Sequence, residues 1–93
     1  MGIEKDKRKI LIGLKKAQSL MSTVTQMVEK NDYCVDIMQQ NLAVIGLLRS
    51  VHQQVMEDHL SSCFLEGMNS KDKRKQKLMV EEIIKVDRLV GKA

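Results

Sequence analysis

The run from Tyr33 to Glu66 contains no proline and a single glycine, Gly46. Proline is the residue that removes a helix donor and clashes with the preceding turn, whereas one interior glycine costs only about 1 kcal/mol. The run therefore predicts one helix of roughly ten turns. Its apolar residues lie on several sides, more than two shorter helices of the same chain can cover, so association with another copy is expected. Composition points the same way. The chain is 43% hydrophobic but 2% aromatic, with no Pro, no Trp and seven Met among 93 residues. An interior built from Leu, Ile, Val, Ala and Met belongs to packed helices rather than twisted sheets. The fold class read from the sequence is all-α, in a single domain over residues 1–93.

Three helical segments account for the chain. In the first, Glu4 to Glu29, the apolar positions Ile10, Leu14, Ala17, Met21, Val24 and Val28 alternate spacings of four and three, a seam for another helix. The "KND" before Tyr33 breaks it, with Asp32 as the expected N-cap of the second. The "GMNS" at 67–70 ends the second helix, and the third, Asp72 to Val90, carries Met79, Ile83, Val86 and Val90 on one stripe. Two hairpins of the first two helices, packed antiparallel about a two-fold axis, make a four-helix bundle that suits a chain too small to bury much alone.

A net charge of +4 and a pI near 9.2 permit contact with nucleic acid or an anionic surface without requiring it. No window approaches the ~18 apolar residues of a membrane span. The expected address is the cytoplasm, with both cysteines reduced.

The stretch "EDHLSSCF" places His59 and Cys63 four residues apart, on neighbouring turns of one helix face. Two ligands are too few for a transition ion. The other cysteine, Cys34, starts the long helix, 25 residues before His59, hence ~37 Å away at 1.5 Å per residue. They cannot meet within one chain. In an antiparallel pair of long helices, Cys34 of one protomer comes beside His59 and Cys63 of the other, twice per dimer. The same distance excludes an intrachain disulfide, which needs Cα atoms within ~7 Å. Spacing alone leaves two readings open: a shared metal site, or a buried thiol at Cys34 with a surface histidine at His59. His52, two turns before His59, is read as a surface histidine.

The segments "YCVDIMQQ" at 33–40, "MEDHLSSCF" at 56–64 and "VEEII" at 80–84, in that order and at those separations, resemble the copper-sensitive operon repressor family. The match runs from Ile10 over nearly the whole chain. It implies a three-helix protomer, an antiparallel four-helix-bundle dimer and commonly a tetramer of two dimers. It also implies operator DNA bound by the apo form and released on Cu(I) binding. The family's ligands fall on Cys34, His59 and Cys63, and the residues that orient the histidine on Tyr33 and Glu82. Two thiolates and an imidazole suit trigonal Cu(I), whereas Zn(II) wants a fourth ligand. Nickel and cobalt sensors of the family use more histidines, a persulfide sensor replaces the middle His and a formaldehyde sensor lacks the last Cys, so this set reads as copper.

The sequence also departs from the family. Relatives carry a stretch like R-L-x-R-I-E-G-Q-V-R early in the first helix, where this chain reads "GLKKAQSLMS" from Gly13 to Ser22. Gly13, Lys16 and Ser22 stand at the three Arg positions, and Ser50 stands at a family Arg of the second helix, next to Arg49. Lysine lacks the planar fork of donors that arginine offers to phosphate or base. Lys9, Lys15 and Lys16, within an N-terminal basic strip that includes Lys5, Lys7 and Arg8, and Arg49 on the second helix are the DNA-contacting candidates. Two functions follow: a copper-responsive transcriptional repressor, or a cytosolic copper buffer or chaperone that kept the metal site and lost the DNA surface. No base-and-orienter constellation suggests an enzyme.

Overall fold

In the computed structural model the described residues are 2–3, 5–69 and 71–92, with the side chains of residues 63 and 90–92 set aside. Among the described residues every regular element is helical: α1 spans Lys7–Glu29, α2 Cys34–His59, a π-turn Leu60–Phe64, a short α3 Leu65–Met68 and α4 Lys73–Lys92. The expected start of the first helix at Glu4 lies outside the described residues.

Asn31 makes the turn between α1 and α2. It takes φ 58°, a left-handed conformation that asparagine tolerates better than most residues. Its N–H donates to the Val28 carbonyl at 3.1 Å while the Asp32 N–H donates to Met27 at 3.0 Å, the paired closure of a Schellman motif. This corrects the expected cap of α2. The first bond of α2 runs from the Ile37 N–H to the Tyr33 carbonyl at 3.2 Å, so the N-cap is Tyr33, one residue after Asp32, in extended backbone (φ −58°, ψ 128°) and without a side-chain cap bond. At α4, by contrast, the Asp72 carboxylate accepts the Arg74 and Lys75 N–H groups at 3.0 and 3.3 Å, offsetting a first turn with no acidic residue.

The long second helix also differs from expectation. Regular α-hydrogen bonding stops at His59 and widens to the π-turn before resuming at Leu65. Its cause is local. Ser62 Oγ donates to the Asp58 carbonyl at 2.6 Å, and Ser61 Oγ to the same oxygen at 3.3 Å. That carbonyl is the one the Ser62 N–H takes in a regular α-helix, and serine back-bonding of this kind competes with the ladder and bends it.

Helices α1 and α2 pack as an antiparallel hairpin, and α4 makes its main contact with α3. Ile10, Ala17, Val44 and Val51 form the hairpin core, and Met79 is the buried residue of α4. The predicted seam of α1 splits in two. Ile10 and Ala17 are buried and Val24 half-buried against α2, whereas Leu14, Met21 and Val28 remain exposed. On α2, Val35, Met38, Leu42 and Ile45 form a second exposed stripe at heptad spacing. Along α4, Ile83 is half-buried and Val86 exposed, and the Val90 side chain lies outside the described residues.

The resulting protomer is a plate of 58 × 28 × 14 Å with a radius of gyration of 17.4 Å, against ~12 Å for a compact chain of this length. It exposes 7483 Å², roughly 2000 Å² more than the ~5500 Å² expected of a compact monomer of its mass. One layer of helices has no second layer behind it.

Two glycines set how closely the layer packs. A Cβ on Gly67 meets the Met79 Sδ and Cε atoms, so this glycine seats the α4 anchor. A Cβ on Gly13 meets Val51 Cγ2 at 2.8 Å. Val51 is stiff at χ1 and buried, so it yields little. We expect Gly13→Ala to destabilise the protein in urea denaturation, because ~1–3 kcal/mol of overpacking exceeds the ~1 kcal/mol gain in helix propensity. In a Val51→Ala background the same change should be neutral or stabilising.

Candidate metal centre

The ends of α2 carry the candidate ligands. Cys34 is its first residue, exposed and with a free thiol. His59 is its last and is half-buried. A 26-residue α-helix separates them by ~37 Å, so the chain itself cannot bring them together. Cys63 lies in the π-turn, and its side chain is outside the described residues. Among the described residues no three His, Cys, Asp or Glu side chains converge to hold a metal ion.

The His59 ring is positioned by packing. Its centroid lies 6.3 Å from that of Phe64, with the planes tilted by 55°, an edge-to-face type of contact across the π-turn. Imidazole and thiolate are donor types that suit a thiophilic ion, but this chain alone does not bring His59 and Cys34 together. Tyr33 sits beside Cys34 at the far end of α2 and is 66% exposed. Glu82 is exposed on α4. The length of α2 separates Tyr33 from His59 of its own chain.

The basic candidates line separate hollows. Lys9 and Lys16 rim a hollow of about 250 Å³ floored by Ile12, Gly13, Leu47, Ser50, Val51 and Gln54. An adjoining hollow of about 590 Å³ adds Lys15 with Ser19, Leu20 and Thr23. Gly13 and Ser50 thus line one groove between two lysines. Arg49 lines a different hollow, of about 710 Å³, with His52, Gln53, Met56, Glu57 and Asp87.

Sequence reasoning passed over Asp58. It is 1% exposed and the largest fully buried side chain. Its Oδ1 accepts the backbone N–H of Lys5 at 2.6 Å and of Asp6 at 3.2 Å. The only signal was an acidic residue directly before a candidate ligand, and its partners lie more than fifty residues away.

Residues 6–88 match the family model described as metal-sensitive transcriptional repressor. The chain is 34% identical over 68 residues to the copper-sensing transcriptional repressor CsoR of Bacillus subtilis, covering 73% of this chain and 67% of that one. It is 34% identical over 50 residues to the copper-sensing transcriptional repressor RicR of Mycobacterium tuberculosis, covering 54% and 52%. Against CsoR of Mycobacterium ulcerans the identity is 36% over 58 residues, covering 62% and 50%. The chain therefore matches about half the length of these mycobacterial relatives.

The ring contact makes a direct prediction. Phe64→Leu should move the His59 ring-proton resonances in an NMR spectrum by removing the neighbouring ring current, while those of His52 stay in place. Unchanged His59 signals would show that the two rings do not pack in solution.

Proposed function

Because the chain belongs to the family of metal-sensitive transcriptional repressors over residues 6–88, we propose that it is a copper-responsive repressor acting in the cytoplasm as a single unit. In this reading Cys34 of one protomer joins His59 and Cys63 of the partner subunit to hold Cu(I), and operator DNA bound by the apo protein is released.

The observation that carries the reading is the placement of Cys34 and His59 on the first and last residues of one α-helix. Such a ligand set is completed only by a second chain running the opposite way. The exposed stripes at Leu14–Met21–Val28 on α1 and Val35–Met38–Leu42–Ile45 on α2 support that pairing, since they are the apolar surface an antiparallel bundle buries. The excess surface of roughly 2000 Å² per protomer is of the scale that obligate homodimers remove. Two such dimers associating would give the tetramer common in the family.

Two thiolates and an imidazole favour a soft monovalent ion, and the bound ion supplies the cross-link between subunits. His59 would ligate through one ring nitrogen and donate from the other. In the antiparallel dimer Tyr33 arrives with Cys34 of the same chain, so a phenol is brought to that imidazole, and Glu82 supplies a carboxylate from α4. The relatives named above are described as copper-sensing, which supports copper as the ion.

Lys9, Lys15 and Lys16 are placed to neutralise phosphates along the groove, with Arg49 a further cation on the neighbouring face. The groove lacks the forked donors of relatives, so apo binding is expected to be weaker than for an Arg-bearing protein and to fall steeply with salt. Ser50→Arg restores one fork at an exposed position and should tighten binding. Gly13→Arg is the poorer substitution, because a Cβ there already meets Val51.

The test is a mobility shift against the gene's own upstream region at physiological salt, with and without Cu(I). Binding that copper abolishes supports the repressor. Copper uptake without any copper-sensitive DNA binding would leave a copper buffer instead. Cu(I) should bind at one equivalent per protomer, with sulfur and nitrogen neighbours in X-ray absorption. Cys34→Ser chains mixed with His59→Ala chains should recover about one intact site per heterodimer, since both changes spoil the same one of the two shared sites. No recovery would exclude a site shared between subunits.

A further inference from the structure

We propose that Asp58 is a positioning residue that ties the basic N-terminal strip to the metal-bearing turn, so that a rearrangement of the turn is felt by the strip. The inference rests on the reading of His59 and Cys63 as ligands and of the strip as a DNA contact.

A carboxylate 1% exposed is costly unless its oxygens are bonded. Asp58 Oδ1 meets that requirement with the N–H groups of Lys5 and Asp6, at 2.6 and 3.2 Å. These are the last two residues before α1, whose own N-cap, Asp6, makes no side-chain cap bond. Asp58 therefore caps α1 from 52 residues away, placing negative charge at the positive end of the helix dipole. The next residues, Lys7, Arg8 and Lys9, are the exposed start of the basic strip.

The other side of the link is the turn itself. Ser62 Oγ donates to the Asp58 carbonyl at 2.6 Å and Ser61 Oγ at 3.3 Å. Lys5 Nζ donates to the Ser61 carbonyl at 3.2 Å. Asp58 directly precedes His59, and Ser62 directly precedes Cys63. Hydrogen bonds thus run from residues 5–6 through 58 into 61–62, between two ligand positions, and they do so on the one π-turn of the molecule's described residues. A π-turn stands close to the ordinary α-helix and converts to it by passing one hydrogen bond along the ladder. Drawing His59 and Cys63 onto a common ion constrains this turn. Any change in it shifts the Asp58 carboxylate, whose 3.2 Å bond to Asp6 is already near the limit of hydrogen-bond geometry.

Amide hydrogen exchange at Lys5 and Asp6, read by NMR, tests the link directly. In the apo wild-type protein both amides should exchange slowly. Asp58→Ala should speed them about tenfold or more, and Asp58→Asn, which keeps one carbonyl acceptor, should fall between. Adding Cu(I) to the wild type should speed the same two amides while those of Asn31 and Asp32, at the other end of the hairpin, stay unchanged. A general loss of stability would move both pairs alike. In Asp58→Asn the copper response should be smaller. Apo Asp58→Asn should also bind upstream DNA with a shallower dependence of log K on log salt, because fewer cations of the strip are held in register with DNA phosphates. Copper bound at the thiolates with Lys5 and Asp6 exchange unaltered in the wild type would overturn the coupling and leave the copper site standing. Absence of copper binding would overturn both. The wild-type arm needs no variant, so misfolding of Asp58→Ala does not weaken the test.

Discussion

A single rigid rod governs this molecule. From Cys34 to His59 the backbone satisfies itself turn by turn, and nothing in that span lets its ends approach each other. Residues at the two ends therefore act together only across a boundary between chains. The hairpin partner, α1, is held against this rod by the Gly13–Val51 approach on one face and by the Asp58 carboxylate at the end. α4 hangs from its far end through Met79 and Gly67. Each of the other elements takes its position from α2.

The two ends of the rod are built differently. At the Cys34 end the chain arrives through a tight Schellman closure around Asn31, which presents the thiol and Tyr33 on exposed backbone. At the His59 end the helix is loosened by serine hydroxyls and fastened again through a buried carboxylate. In the proposed dimer, where these ends meet, only the His59 half would need to adjust.

Much of the architecture was legible in the residues. The absence of proline between Tyr33 and Glu66, the heptad spacing of α1 and the breaks at "KND" and "GMNS" located the helices to within a few positions. What was not legible depended on competition or distance. Asp32 reads as an N-cap, but the first bond of α2 is made to the carbonyl of Tyr33, one residue later. The π-turn follows from which donor takes the Asp58 carbonyl, a choice that periodicity does not encode. Asp58 itself looks like one more charge on a helix surface, because its partners are at the start of the chain. Gly13 was visible as a missing arginine but not as a packing notch. Cys34, His59 and Cys63 were named by their spacing and by resemblance, and the continuous helix between the first two, read from the sequence, is the helix the structure shows.

A plate 14 Å thick has consequences for the life of the protein. A solitary copy of such a layer has little interior to hold it folded, and if copies pair as proposed, its thermodynamic stability becomes a function of how many copies surround it. Dilution then acts as a denaturant. Freshly made chains at low abundance would be degraded or refold repeatedly until they meet, so the cellular dose of the protein sets a threshold below which no folded product accumulates.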